Sequence, residues 1–224
     1  MNFYAKEFSA ETDQSPNHSQ WDTLTEEVFQ KKCNHLTQNQ MRSRIKEGIE
    51  GYKESIQPFV DKIDDDSLKT FIKEYEDDDY PLFAIDQGFL RELESALQLK
   101  NKIDIWHDED TTKEAGAYYQ RGKNTIIIND NFTKDTGDPF DFIEELSQLA
   151  HEVFHAYQYE RTLYGDKESS ERYKNLFSSY TTKDCILYCD NPIELEAYSF
   201  QDLIGRKILK NMHQMGRHTD LGIH

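Results

Sequence analysis

Positive charge is scarce in this chain. Its 224 residues carry 26 Lys and Arg against 43 Asp and Glu, a formal net charge of -17. Phosphate backbones and anionic lipid surfaces are gripped by basic patches, so neither nucleic acid nor a membrane surface is an expected partner. Long apolar runs are also missing. No stretch approaches the roughly 18 apolar residues of a membrane-spanning helix, and residues 1–7 hold no apolar signal core. The expected location is the cytosol, or outside the cell by a route without a classical signal peptide. Cysteine is limited to Cys33, Cys185 and Cys189. An odd count excludes a fully paired disulfide framework and fits a reducing compartment. Cys185 and Cys189 have no second pair nearby, so they read as ordinary thiols and not as a metal site. Apolar residues make up only 36% of the chain, and the mean hydropathy is -0.87. Even so, 13 Phe, 13 Tyr and 2 Trp supply large side chains for a modest core under a heavily solvated surface.

The chain divides by pattern. Residues 1–20 are polar without periodicity and read as a flexible arm. Residues 21–100 read as a helical region. Its first helix is capped by Asp22 or Thr23, weakened by Gly48 and Gly51, and stopped at Pro58. Asp64 and the acids after it then cap a short amphipathic helix carrying Leu68, Phe71, Ile72 and Tyr75. The acidic runs 64–66 and 76–79 lack the alternating ligands and glycine of a calcium loop, so they read as solvated helix ends. Phe89, Leu90, Leu93 and Leu97 mark a third helix over 86–100.

The period then changes from helical to two. Residues 103–106 alternate as a strand. Residues 115–120 and 125–129 form a β-hairpin around Arg121-Gly122-Lys123-Asn124. From Asp138, a good N-cap before Pro139, the chain is helical again, with Phe142, Leu146, Leu149, Val153 and Tyr157 on one stripe. A polar stretch, 165–173, follows. The last strong helix starts at Asn191-Pro192, with Ile193, Phe200, Ile204 and Ile208 on one face. Residues 211–224 read as a mobile tail, and His107 as a surface residue.

The chemistry concentrates in His151-Glu152-Val153-Phe154-His155. On a helix, residues four apart lie one above the other on one face, so His151 and His155 are placed to grip one ion. Glu152 is turned by about 100° from His151, near enough to reach a water on the metal without ligating it. A zinc ion there would acidify that water toward a pKa of about 7, and Glu152 would take the proton. The bland alternative is a helical interaction protein whose exposed face happens to spell the motif. The motif's place within an apolar stripe argues against that, because buried imidazoles and a carboxylate are costly without partners.

A catalytic zinc normally has three protein ligands. The segment 190–198, Asp-Asn-Pro-Ile-Glu-Leu-Glu-Ala-Tyr, offers two acids. Glu194 is the third helical residue if Asn191 is the cap, where it would complete a capping box. Glu196 falls on the apolar face and needs a cation there. Glu196 is therefore the expected third ligand, its alternative being a salt bridge to a buried Arg or Lys. Tyr180, Tyr188, Tyr198, His213 and His218 are the candidates for stabilising an oxyanion.

HEVFHAYQ followed by NPIELEAYSF resembles the gluzincin branch of zincin metallopeptidases. The ExEA arrangement, with a phenylalanine a few residues later, is also similar to ImmA/IrrE-type peptidases and to metallopeptidase domains of bacterial toxins. The resemblance covers residues 115–209. It implies an α+β, zincin-like domain over 101–210 with a small sheet and an active-site helix. It also implies one zinc on His151, His155 and Glu196, with Glu152 as base. Strand 125–129 or its hairpin mate would line the cleft as the sheet edge, where a peptide or protein substrate adds as a strand. The gap of 41 residues from His155 to Glu196 exceeds that of compact gluzincins, so 165–189 reads as an insertion. No third His completes a metzincin pattern. The alternative function is a zinc-binding module without hydrolysis, which would have no need of Glu152.

Overall fold

A computed structural model describes residues 38–76, 82–108, 117–129, 139–180 and 191–216. Three helices come first: α1 (Gln38–Val60), α2 (Asp65–Tyr75) and α3 (Leu82–Leu97). Three short strands follow: β1 (Asp104–Asp108), β2 (Ala117–Gln120) and β3 (Thr125–Asn129). Three more helices complete the described chain: α4 (Pro139–Tyr164), α5 (Lys167–Ser179) and α6 (Pro192–Gln214). The fold is therefore α+β and mostly helical. The expected arm, the start of the first helix, the Asp138 cap and all three cysteines lie outside the described residues, as do Tyr188 and His218.

The sheet is mixed, in the order β1-β3-β2. β1 runs parallel to β3, with Ile105 opposite Ile126. β2 and β3 form the expected antiparallel hairpin, with Tyr119 opposite Ile126. Asn124 closes the turn at φ 51°, a left-handed conformation that Asn tolerates better than most residues. β3 is central and well covered, with Ile126 0% and Ile128 2% exposed. β3 is therefore interior to the sheet, and its edges are β1 and the hairpin mate β2, whose four residues are half-buried. His107, expected at the surface, is half-buried. Its ring meets Phe83 edge-on at 5.3 Å, and its Nε2 lies 3.5 Å from the buried Asp86.

The helical stripes pack as their spacing demands. Phe142, Leu146, Leu149 and Val153 of α4 are buried, as are Ile193, Phe200, Ile204 and Ile208 of α6. Each such side chain contributes roughly 1.5–3 kcal/mol on leaving water. All of these but Ile193 share one cluster with Ile56 and Val60 of α1, Leu68 and Ile72 of α2, and Phe89 and Leu93 of α3. Phe154 joins α4 to α6 by packing on Phe200, with ring centroids 5.0 Å apart.

Three helices depart from the sequence reading. α1 runs through Gly48 and Gly51, and Pro58 sits inside its last turn. Gly48 is there for close approach: a Cβ would fall 2.7 Å from Leu195 Cδ2 on α6. Residues 167–179, read as a polar stretch and part of an insertion, form a regular helix. Its Asp166 cap accepts a hydrogen bond from the Ser169 N–H, and Tyr173 is its one buried residue, so no apolar stripe announces it. α6 continues to Gln214 with Met212 only 3% exposed, inside the segment expected as a mobile tail. Lys207 ties this end to α1 by donating to the Val60 carbonyl at 3.1 Å.

Candidate metal centre

α4 presents both histidines toward α6. Val153 and Phe154, between them in sequence, are buried in the core and fix the rotation of this turn. The His151 ring lies against Tyr198 of α6, centroids 4.4 Å apart. The two Nε2 atoms face each other at 3.0 Å.

The carboxylate that meets them belongs to Glu194. Its Oε2 is 3.6 Å from His151 Nε2, and its Oε1 is 3.7 Å from His155 Nε2. Tetrahedral zinc with bonds of 2.0–2.1 Å holds its donors about 3.3 Å apart; the two Nε2 atoms lie just inside that value, and the approach of each to the carboxylate, one to each oxygen, lies just outside it. Two imidazoles and one carboxylate also form a donor set that zinc favours. His151, His155 and Glu194 thus fit one divalent ion by donor type and by spacing. Among the described residues this is the one group of its kind.

Glu194 is only 1% exposed, and burial by itself would raise its carboxyl. The neighbouring His155 and His151, with the Tyr180 hydroxyl, outweigh that and hold it down at about 2. Tyr180 donates to Glu194 Oε1 at 2.7 Å. Burial pushes the Tyr180 hydroxyl far above its ordinary range, and the Glu194 charge adds to the shift.

Glu196, the expected third ligand, is elsewhere. It pairs with the Arg172 guanidinium of α5 and accepts hydrogen bonds from Tyr173 Oη at 2.9 Å and Gln158 Nε2 at 3.0 Å. The two acids are about 200° apart around α6, so one helix crossing sends them to different neighbours. The expectation that a carboxylate on this face requires a cation is met, but the cation is Arg172. Burial works against the charge on Arg172, and its bond to Glu196 more than restores it.

Glu152 faces the sheet edge. The Tyr119 N–H of β2 donates to its Oε2 at 2.8 Å. Burial pushes the Glu152 carboxyl up to about 7. His155 opposes that rise, Glu194 adds to it, and the Tyr119 N–H opposes it. A carboxyl so tuned suits proton transfer near neutral pH.

No family model, curated protein or solved structure matches the chain.

Of the oxyanion candidates, Tyr180 and Tyr198 stand at the site. His213 is exposed in the last turn of α6, about 28 Å along the axis from Glu194. Gln158, Arg172 and Tyr173 escaped the sequence reading. Gln158 carried a signal: three residues after His155 on one helix, it is a polar residue on a buried stretch. Arg172 and Tyr173 carried none, because α5 was not recognised as a helix.

Proposed function

We propose that the chain is a zinc-dependent metallopeptidase of zincin-like architecture, with His151, His155 and Glu194 as ligands and Glu152 as general base. The observation that carries this reading is the meeting of three donor groups at metal-binding separations, with Glu152 beside them against the edge strand β2. A zinc ion held there would supply an acidified water and polarise the scissile carbonyl. Glu152 would take the proton of the attacking water as its oxygen adds to the carbonyl carbon, and would hand it to the amine nitrogen as the C–N bond of that adduct breaks. A substrate main chain would add along β2 beside Glu152, in exchange for the Tyr119 N–H that Glu152 now accepts. Tyr198, packed on His151, is the candidate to donate to a developing oxyanion; Tyr180 would first have to release Glu194.

The test is zinc content per chain in purified protein, together with hydrolysis of a peptide library before and after chelation. One zinc per chain, and cleavage that chelation abolishes and zinc restores, is the expected result. One zinc without any cleavage would leave a zinc-binding module. No zinc, even after incubation with it, would overturn the reading.

A further inference from the structure

Gln158 is completely buried on α4. Its Nε2 donates to the Ile193 carbonyl at 2.9 Å and to Glu196 Oε2 at 3.0 Å. Both partners only accept hydrogen bonds, so an amide oxygen turned toward them would be repelled by each. The carboxamide therefore has one possible orientation, with its oxygen toward His155 Nδ1 at 2.9 Å. That oxygen also only accepts, and so requires a hydrogen on Nδ1. A neutral imidazole carries a single N–H. His155 Nε2 is then left with its lone pair, directed to where His151 Nε2 and Glu194 converge.

Glu196 is itself held in place. The Arg172 guanidinium binds its Oε1, and Tyr173 donates to its Oε2 at 2.9 Å. We infer that Arg172, Glu196 and Gln158 are positioning residues that lock His155 in the Nδ1–H tautomer, with the Nε2 lone pair presented to the ion. The inference rests on the proposed metal site for the use made of that lone pair. The tautomer itself follows from contacts that need no metal. A carboxylate two residues from a ligand thus acts on the opposite side of the site, through an amide and an imidazole. Partners of this kind typically govern 10–100-fold in metal affinity.

The experiment uses the full chain, metal-free and labelled with nitrogen-15 at histidine, above the ordinary titration range of imidazole. Two-bond nitrogen–proton spectra distinguish the tautomers. The parent is expected to show His155 with a pyrrole-type Nδ1 and a pyridine-type Nε2; the reverse assignment overturns the inference. Gln158→Met keeps length and apolar packing but removes the acceptor. Its His155 is expected to populate both tautomers, and its zinc affinity, measured by chelator competition, to fall about 10–100-fold. A Gln158→Met protein with the parent's tautomer and affinity would show that Gln158 only fills space, which also overturns it. If the variant does not fold, the parent spectrum still decides. Failure of the parent to bind zinc would sink the metallopeptidase reading, while the tautomer would still test the positioning.

Discussion

The Nε2 atoms of His151 and His155 stand 3.0 Å apart, on successive turns of α4 and facing the same buried carboxylate. Without an ion between them, two imidazole nitrogens share at most one proton at this distance. An ion bound only by the folded chain stabilises it by RT ln(1 + [L]/Kd), about 2.7 kcal/mol at one hundred times Kd. For a chain of this length each kcal/mol moves the melting temperature by about 2–4 °C. Zinc at that excess is therefore expected to raise Tm by roughly 5–10 °C, and chelation to reverse it. Calorimetry with and without zinc checks this; an unchanged Tm would argue against binding at the native site.

Glu194→Ala and Glu196→Ala separate two carboxylates that sequence alone could not. Glu194→Ala is expected to abolish stoichiometric zinc, because it removes one of three donors. Glu196→Ala is expected to keep one zinc per chain with affinity lowered about 10–100-fold, since Glu196 touches the site only through Gln158. Metal content after gel filtration, followed by chelator competition, reads both. Loss of zinc in Glu196→Ala alone would return the third ligand to Glu196.

The contrast between these acids shows what was legible in the sequence. His151, Glu152 and His155 lie within five residues of one helix, so local geometry alone fixes their relation. The hairpin was equally local, its turn residues and alternating strands being adjacent in the chain. The third ligand depends on how α6 crosses α4, and spacing does not encode that. It depends as well on what else reaches the Glu196 side of α6. That neighbour is α5, which buries only Tyr173 and so lacks the stripe by which helices are found. Its one local signal was Asp166 three residues before Ser169, a cap without an apolar run behind it. Pro58 misled in a different way: it removes one i→i−4 bond and crowds the carbonyl of residue 54, and α1 absorbs that local cost and ends only at Val60.

Glu152→Gln is expected to lower kcat/KM by about 10²–10⁴-fold, the usual contribution of a positioned general base. Zinc content should not change, because Glu152 is not one of the three donors. The amide oxygen also remains available to the Tyr119 N–H that now donates to Glu152 at 2.8 Å. Steady-state kinetics beside metal analysis on the same preparation make the comparison. Full activity in Glu152→Gln would remove it from the role of base.

Glu160 lies on the same helix as the histidines, about one and a half turns beyond His155, and does a structural job. Its carboxylate accepts the Lys100 N–H at 2.9 Å, the Asn101 N–H at 2.7 Å and Asn101 Nδ2 at 2.8 Å. These bonds tie the turn between α3 and β1 onto α4, and so help to hold the sheet against the site helix. Glu160→Ala removes the acceptor of two backbone N–H groups on residues that are themselves exposed, at a cost of about 0.5–1.5 kcal/mol for each bond exchanged for water. Chemical denaturation should therefore show a lower midpoint with an unchanged slope. Zinc stoichiometry should stay at the parent's value in the folded protein, because no metal donor is altered. A variant as stable as the parent would mean that water replaces the carboxylate at both N–H groups. A variant that folds yet loses zinc would mean that the turn controls the metal site from a distance, with Glu160 acting beyond the stability of the fold.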